Sequence, residues 1–226
     1  MEGFKKIFKR RSIRLKGYDY SQPGAYFVTI CSQNKKCIFG DVVDGEMILN
    51  KYGYIVKNEW LGTTNVRDNV KLDMFVVMPN HFHGIISIIN DGRGVLQYAP
   101  TTSVFRSPSQ TIGAIARGFK SAVTKRLNGM QGVAGRPVWQ RNYYEHVIRN
   151  EDELNHIREY VLDNPLQWQF DRENSIHTVD KIYDKQWGPI EEVIYGKKGS
   201  PAGVSRPNYK EMVGAYCNTP LQLTKV

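Results

Sequence analysis

The sequence predicts an α+β fold in which an antiparallel sheet is covered by helices on one face. Two observations lead to this prediction. Short runs rich in β-forming residues alternate with segments in which apolar residues recur at helical spacing. Their order is strand, helix, two strands, helix, strand, which is the order of a ferredoxin-like sandwich. We expect the uncovered face of the sheet to be open to a substrate.

The N-terminal elements are a strand, a hairpin and a helix. Residues 24–33, GAYFVTICSQ, alternate large and small residues among β-formers and predict the first strand. Residues 36–50 predict a short hairpin, because Asp44-Gly45 supplies the residue types that a tight turn prefers. Apolar residues at helical spacing between Tyr52 and Trp60 predict the first helix, which Gly62 ends.

The middle of the chain contains a second hairpin, a loop and a second helix. Residues 70–80 and 81–90 are β-rich runs that meet at Pro79-Asn80, which predicts an antiparallel hairpin. Residues 91–110 are rich in Gly, Pro, Ser and Thr without periodicity, so we expect a long loop. The helix within residues 109–129 has an apolar stripe for the sheet, which leaves its basic residues free for phosphates.

The last strand and the third helix follow directly on each other. Residues 135–150 predict the strand, and Asn150 with Glu153 three residues later predicts a capping box at the start of the helix. Pro165 ends this helix. Its core stripe consists of Leu154, Ile157 and Val161.

The chain length of 226 residues predicts one domain with extensions. We expect a basic N-terminal arm over residues 1–24 and the folded domain over residues 25–168. Residues 169–226 are mostly polar with scattered aromatic residues, so we expect an appendage that packs partly on the domain.

The charge of the chain indicates an acidic partner. Lys and Arg number 31 against 22 Asp and Glu, which makes the formal net charge +9 and favours nucleic acid. We expect no membrane partner, because no apolar stretch reaches spanning length. The basic start lacks the apolar segment of a signal peptide. Three cysteines without a CxxC pair predict neither a disulfide framework nor a thiolate zinc site, so we expect a reduced, cytoplasmic location.

Two histidines open the apolar run in "VMPNHFHGIISI". On a strand, His81 and His83 point to the same face about 7 Å apart, while Phe82 points to the opposite face. That is the spacing of metal ligands. It is also compatible with imidazoles that only satisfy neighbouring polar groups.

The third helix contains a tyrosine and an asparagine one turn apart. Tyr160 and Asn164 lie on the same side of the helix in "YVLDN". Separately, they fit the ordinary roles of a core-edge aromatic and a helix terminator. Because Asn164 precedes Pro165, its backbone is biased away from helical geometry, which would turn its side chain off the face of the tyrosine.

Three segments together resemble one known family. "PNHFHGI", "WQRNYYEHVIRNEDEL" and "IREYVLDNP" look like the single-tyrosine HUH endonucleases, and specifically the REP-associated tyrosine transposases. The resemblance covers roughly residues 26–168, and the segments lie in the family's order and separation. It implies a ferredoxin-like fold, in agreement with the order of the predicted elements.

The resemblance also implies the chemistry. A divalent ion would be held by His81, His83 and the polar residue one turn after the nucleophile, which corresponds to Asn164 after Tyr160. Neutral imidazoles and an amide leave the charge of the ion free to polarise a scissile phosphate. We expect Mg²⁺ or Mn²⁺, since Mg²⁺ prefers oxygen and imidazoles suit Mn²⁺. Attack by Tyr160 would give a 5′-phosphotyrosine and a free 3′-OH.

The expected partner is DNA, single-stranded with palindromic hairpins, bound by a monomer or a homodimer. Tyr143 and Tyr144 are rival nucleophiles, but we expect them to be structural or to contact DNA. Phosphates would be bound by basic residues of the arm and of the second helix. These are Arg10, Arg11, Arg14, Lys16, Arg117, Lys120, Lys125 and Arg126.

Two other functions remain open from the sequence. A non-catalytic module of the same fold would bind single-stranded nucleic acid by stacking and charge. A metal-dependent hydrolase would use a water molecule at the same site and would form no protein adduct. The sequence determines neither the DNA target nor whether the protein mobilises DNA or serves a host.

Overall fold

The structure, a computed structural model, describes residues 20, 22–89, 111–175 and 188–195. The helices are α1 (Lys51–Leu61), α2 (Ile112–Gln131), α3 (Glu151–Asp163) and α4 (Gly188–Tyr195). Among them, none is both long and apolar enough to cross a membrane. The strands are β1 (Gly24–Cys31), β2 (Gly40–Val43), β3 (Glu46–Leu49), β4 (Val70–Val77), β5 (His81–Ile88) and β6 (Tyr144–Ile148). Most of the predicted arm, residues 1–19 and 21, and the loop 91–110 lie outside the described residues.

Four strands form the central sheet in the order β4-β5-β1-β6, with every neighbouring pair antiparallel. β1 and β5 are central, and each of the helical connections α1 and α2 joins a central strand to an edge strand. This is the split arrangement of a ferredoxin-like core and confirms the predicted α+β class. β2 and β3 form the predicted separate hairpin. Asp44 and Gly45 have φ of 51° and 79°, the left-handed pair that a tight hairpin turn requires.

One face of the sheet packs on α1 and α2. The even-numbered residues of β1 and β5, among them Val28 and Phe82, join Trp60 of α1 and Phe119 of α2 in one core. The ring centroids of Trp60 and Phe82 are 4.7 Å apart, and those of Trp60 and Phe119 are 5.3 Å apart. Aromatic contacts at these distances add to the burial of apolar area. This face therefore supplies most of the core.

The opposite face is also covered, which corrects the expectation that the helices lie on one side and leave the other open. Phe27 of β1 and Ile85 of β5 pack there against Ile157, Tyr160 and Val161 of α3. Ile190 and Ile194 of α4 join the same cluster. The physical reason is that this face also carries apolar side chains, such as Phe27 and Ile85, which must be buried, as must the apolar stripe of α3.

The two ends of α3 are built differently from each other. At the start, Asn150 Oδ1 accepts from the Glu153 N–H at 2.8 Å, as the predicted cap requires. The Glu153 carboxylate accepts from the N–H of Arg149 at 2.6 Å rather than from that of Asn150. The second hydrogen bond of the predicted capping box is therefore shifted by one residue. At the end, Asn164 keeps helical angles of −55° and −40° in spite of Pro165, so the expected turn away from the helix is wrong.

Gly84 provides a test of the packing between β5 and α1. A Cβ at this position would lie 2.7 Å from Trp60 Cζ2 and 2.8 Å from the ring of Phe82. Both rings are buried, so they have little room to move. We expect Gly84→Ala to lower the free energy of unfolding by about 1–3 kcal/mol in urea denaturation.

Gly129→Ala is the matched control for this substitution. Gly129 lies within α2 and has open space where a Cβ would stand. We expect this variant to be as stable as the wild type or more stable, by up to about 1 kcal/mol. Equal stability of the Gly84→Ala variant and the wild type would contradict the packing.

Candidate metal centre

His81 and His83 lie at the start of β5 on the face covered by α3. Both side chains are fully buried, and their ring centroids are 4.4 Å apart. Phe82 between them points into the core on the other face, as strand alternation predicts. The strand therefore brings the two imidazoles side by side in a region from which water is excluded.

Neighbouring side chains orient both rings. His81 Nδ1 is 2.8 Å from Asn80 Oδ1, and His83 Nδ1 is 2.8 Å from Thr29 Oγ1. Asn80 Nδ2 donates to two backbone carbonyls, so the amide is placed with its oxygen toward His81. His81 Nδ1 must then donate, and the lone pair of the neutral ring is on Nε2. This is the tautomer and the support that a metal-binding histidine needs.

Asp171 completes a three-residue cluster. The candidate ligand atoms of His81, His83 and Asp171 all lie within 4.8 Å of one another, and Asp171 is fully buried. Asp171 Oδ2 lies 3.9 Å from His81 Nε2. Asp171 Oδ1 accepts from the Glu173 N–H at 2.6 Å, which holds the carboxylate in place. A carboxylate and two imidazoles form a ligand set suited to a divalent ion.

Sequence reasoning missed Asp171, because it lies in the segment assigned to the appendage. The domain boundary at residue 168 stays a prediction. The turn after α3 nevertheless returns to the sheet, since Asn80 Nδ2 donates to the Glu173 carbonyl at 2.8 Å. The available signal was an acidic residue seven positions after Asn164, the predicted third ligand.

Asn164, the predicted third ligand, lies beside the cluster. Its Nδ2 donates to Asp171 Oδ2 at 3.1 Å, and the residue is 2% exposed. Within the described residues, Asn164 Oδ1 and the Nε2 atoms of His81 and His83 are buried without a hydrogen-bond partner. Buried polar atoms without partners are unfavourable, and a cation would satisfy all three. The residues present therefore fit a divalent ion.

Tyr160 lies on the same face as the histidines. Its side chain is 2% exposed, and its ring centroid is 5.5 Å from that of His83 and 6.2 Å from that of Phe27. The predicted helical spacing explains the placement, since Ile157, Tyr160 and Val161 all face the sheet. The predicted nucleophile and the two predicted histidine ligands thus come together in space.

Burial controls the protonation of the centre. It lowers the pKa of His81 below the ordinary 6.5, although the negative charges of Asp171 and Glu173 oppose the change. Burial and the neighbouring His81 lower the pKa of His83 well below that value. Both imidazoles are therefore neutral at pH 7, which is the state that binds a metal.

Glu173 and Cys31 form a second buried pair next to the cluster. The Cys31 thiol donates to Glu173 Oε2 at 3.1 Å, and Lys35 Nζ lies 3.2 Å from the same oxygen. Burial would raise the pKa of Glu173, but the thiol, His81 and Lys35 outweigh it and lower the pKa. Burial, more than the carboxylate, raises the pKa of the Cys31 thiol. Glu173 therefore remains charged and adds negative potential beside the centre.

The two rival tyrosines point to opposite faces. Tyr143 packs against the core of α1 and α2, and its hydroxyl donates to Glu145 Oε2 at 2.6 Å. Tyr144 pairs with Thr29 across β1, and Thr29 pairs with His83, so Tyr144 shares the face of the centre. Of these two tyrosines, only Tyr144 lies on the face of the sheet that carries the histidine cluster.

The predicted phosphate-binding residues are distributed differently. Arg10, Arg11, Arg14 and Lys16 lie outside the described residues. α2 packs on the face opposite the histidines, so its cations do not border the centre. Lys120 Nζ donates to three backbone carbonyls between residues 140 and 142, at 2.6 to 3.4 Å, so the expectation that it is free is wrong. Arg126 pairs with Glu59 at 2.8 Å, while Arg117 and Lys125 are exposed.

The lowered pKa values predict how stability depends on pH in the metal-free protein. Below pH 6.5 the unfolded chain protonates His81 and His83, whereas the folded chain does not until lower pH. Their contribution to the free energy of unfolding is complete above pH 6.5. It is lost as the pH falls below 6.5, by at most about 1.4 kcal/mol per pH unit for each histidine. Urea denaturation in EDTA at a series of pH values measures this slope.

Substitution of one histidine at a time identifies the source of the slope. We expect His83→Gln to reduce it. We expect His156→Gln, which alters an exposed residue of α3, to leave it unchanged. An equal slope in all three proteins would contradict the assignment to the buried pair.

Comparisons with known proteins find a relative by sequence and several partial likenesses in structure. No family model matches the chain. A solved REP-associated tyrosine transposase bound to a REP hairpin has a TM-score of 0.46 and 14% identity, over 87% of this chain and 100% of that chain. A putative transposase from Deinococcus radiodurans has a TM-score of 0.34 and 16% identity, over 66% of this chain and 94% of that chain.

The sequence relative is a Haemophilus influenzae protein described as uncharacterized. It is 45% identical over 170 residues, which make up 74% of this chain and 93% of that protein. Identity at this level over most of both chains shows common family membership. The chain therefore belongs to the family of this Haemophilus influenzae protein.

Proposed function

We propose that the protein is a metal-dependent DNA nickase and strand-transferase that forms a covalent 5′-phosphotyrosine intermediate on single-stranded or hairpin-forming DNA. The observation that carries the proposal is the placement of Tyr160 against a buried cluster of His81, His83 and Asp171. The residues of the HUH-type sequence pattern, which are distant along the chain, meet at this one place. The net charge of +9 suits a DNA partner.

The proposed ion is Mg²⁺ or Mn²⁺, held by His81, His83 and Asp171 with Asn164 Oδ1 as a further oxygen donor. Two nitrogen and two oxygen donors suit Mn²⁺ better than Mg²⁺, which prefers oxygen. When bound, the ion would polarise a non-bridging oxygen of the scissile phosphate. The protein contributes the orientation of the ligands and the exclusion of water.

Tyr160 is the proposed nucleophile. Its phenolic oxygen forms a bond to phosphorus while the bond from phosphorus to the 3′ oxygen breaks. The proton of the phenol leaves and a proton is taken up by the 3′ oxygen, so the products are a 5′-phosphotyrosine and a 3′-OH. The phosphodiester energy is retained in the new bond, and the reverse attack by a 3′-OH can rejoin a strand. A water nucleophile would lose this energy.

A second candidate function is a non-catalytic module that binds single-stranded nucleic acid through the same fold. The burial of the centre favours it, because His81 and His83 are fully buried and Tyr160 is 2% exposed. In such a module the histidines would serve packing, and the phosphate would not reach Tyr160. The two functions differ in whether DNA becomes covalently attached.

Tyr160→Phe tests the nucleophile. Hairpin-forming single-stranded DNA from the sequence that flanks the gene, labelled at the 5′ or the 3′ end, is incubated with protein in Mn²⁺ or EDTA. We expect a protein-DNA adduct on denaturing gels for the wild type in Mn²⁺ and none in EDTA. The adduct should also be absent from Tyr160→Phe, because phenylalanine has no oxygen to attack phosphorus.

Tyr143→Phe is the matched control, since its hydroxyl lies on the opposite face, and it should keep the adduct. Loss of the adduct in Tyr144→Phe but not in Tyr160→Phe would transfer the role to Tyr144. Cleavage without an adduct would support a hydrolase. Binding that neither EDTA nor Tyr160→Phe changes would support the binding module.

Asp171→Asn tests the ligand set. Asparagine keeps the shape of the side chain but removes the charge, so we expect Mn²⁺ affinity measured by calorimetry to fall at least about tenfold. Asn164→Ala should also weaken binding, because it removes a neutral oxygen donor. Asp152→Asn, on the exposed side of α3, is the control and should bind as the wild type does. Full affinity in Asp171→Asn would exclude Asp171 as a ligand.

A further inference from the structure

The edge strand β4 contains a bulge opposite Ile85 of β5, two residues from His83. Leu72 pairs with Ile86 and Phe75 pairs with Gly84, so two residues of β4 stand opposite Ile85 alone. Leu72 and Phe75 both pack on the core of α1 and α2. The extra residue therefore leaves both Asp73 and Met74 available to the other side, where Met74 packs in the cluster of α3. Bulges of this kind redirect side chains and are frequent next to active sites.

The redirected Asp73 binds Arg158 of α3 with two hydrogen bonds. Arg158 Nη2 donates to Asp73 Oδ2 at 2.6 Å, and Nε donates to Oδ1 at 3.1 Å. Asp73 Oδ1 also accepts from the Met74 N–H at 2.7 Å, so the carboxylate is fixed by its own bulge. A paired fork of this kind sets direction as well as distance, which a single contact does not.

Arg158 donates hydrogen bonds from all three nitrogens of its guanidinium. Nη1 donates to Asn155 Oδ1 at 2.9 Å and to Glu151 Oε1 at 3.3 Å. The side chain is 26% exposed and that of Asp73 is 24% exposed. Because its donors are used within the chain, Arg158 is better suited to hold α3 than to bind a DNA phosphate.

The position of this pair connects it to Tyr160. α3 starts next to the edge strand β6 and crosses the sheet to contact β4 at the opposite edge. Arg158 is two residues before Tyr160 in the same helix, so a shift of the helix at the β4 edge moves the tyrosine ring relative to His83. Misplacement of a reacting group by about 1 Å lowers a rate by about a hundredfold.

We propose that Asp73 and Arg158 are positioning residues that hold the Tyr160 helix at the reactive distance from the histidine pair. This inference rests on the proposed function and adds to it a device for aligning the nucleophile. Within the described part of the chain, the hydrogen bonds of Asp73 and Arg158 do not reach the candidate metal ligands. The pair therefore acts through α3. Metal affinity and DNA affinity should therefore be independent of it.

We call the Asp73–Arg158 pair the clamp. Asp73→Asn and Arg158→Lys test it in the full-length protein. Asparagine loses the charge, and lysine keeps its charge but loses the fork. With saturating Mn²⁺ and hairpin DNA, we expect the single-turnover rate of adduct formation to fall by about 10- to 100-fold in each variant. The dissociation constants for Mn²⁺ and DNA should change by less than about twofold. A general loss of structure would instead weaken binding together with the rate.

Glu59→Gln is the matched control, since it removes an ion pair of similar length, 2.8 Å to Arg126, on the opposite face of the sheet. Its adduct rate should equal that of the wild type. Wild-type rates in Asp73→Asn and Arg158→Lys, with an active wild-type protein, would overturn the clamp and leave the proposed function intact.

A second measurement does not depend on activity. With fluorotyrosine incorporated, the ¹⁹F resonance of Tyr160 is identified by its absence in Tyr160→Phe. We expect Asp73→Asn to shift or broaden this resonance in the metal-free protein, because the ring changes its position over His83, and Glu59→Gln to leave it unchanged. An unmoved resonance overturns the clamp. A wild type without adduct, but with the resonance shift, overturns only the proposed function.

Discussion

Two neutral imidazoles held side by side in a dry interior are the constraint around which the rest of this structure is arranged. Burial removes the option of charging them, so each needs a partner for both ring nitrogens. Asn80 and Thr29 provide for the Nδ1 atoms, and a centre with an acidic side chain faces the Nε2 atoms. A hydrogen bond from Asn80 to the Glu173 carbonyl holds the turn that carries Asp171 beside the histidines. α3 covers the same face of the sheet.

The two faces of the sheet carry different features, the aromatic core on one and the histidine cluster on the other. On one face, aromatic rings from α1, α2 and β5 interlock, and Gly84 is required because Trp60 lies directly against it. This contact fixes the position of β5 against α1, so the histidines on the other face of β5 lie on a rigid strand. On that other face α3 packs on an apolar cluster that includes Phe27 and Ile85, and hydrogen bonds at its start and at Asp73 add to this packing. A rigid strand thus meets a helix that is held by apolar packing and by hydrogen bonds together.

Local periodicity was sufficient to predict most of the fold and the shared face of His81 and His83. Strand spacing placed His81 and His83 on one face and helix spacing placed Tyr160 and Asn164 on one side, but the roles expected of Tyr160 and Asn164 came from the family resemblance. Asp171 did not follow, because its role depends on a contact between Asn80 and Glu173 across 93 positions of sequence. The covering of both sheet faces was missed because a short apolar run does not reveal whether one or both of its faces are buried. The engagement of Lys120 depends likewise on a distant loop.

The presence of a carboxylate in the centre changes what an ion there would do. With two imidazoles and an amide, the ion would keep its full double charge, whereas Asp171 would reduce the charge of the complex to one. A lower charge attracts the phosphate less strongly but holds the ion more firmly in a buried place. Glu173, kept ionised by Cys31 and Lys35, adds negative potential nearby. In the proposed reaction the phenolate of Tyr160 would develop near this negative charge, so its alignment by α3 would matter more than it would beside an uncompensated ion.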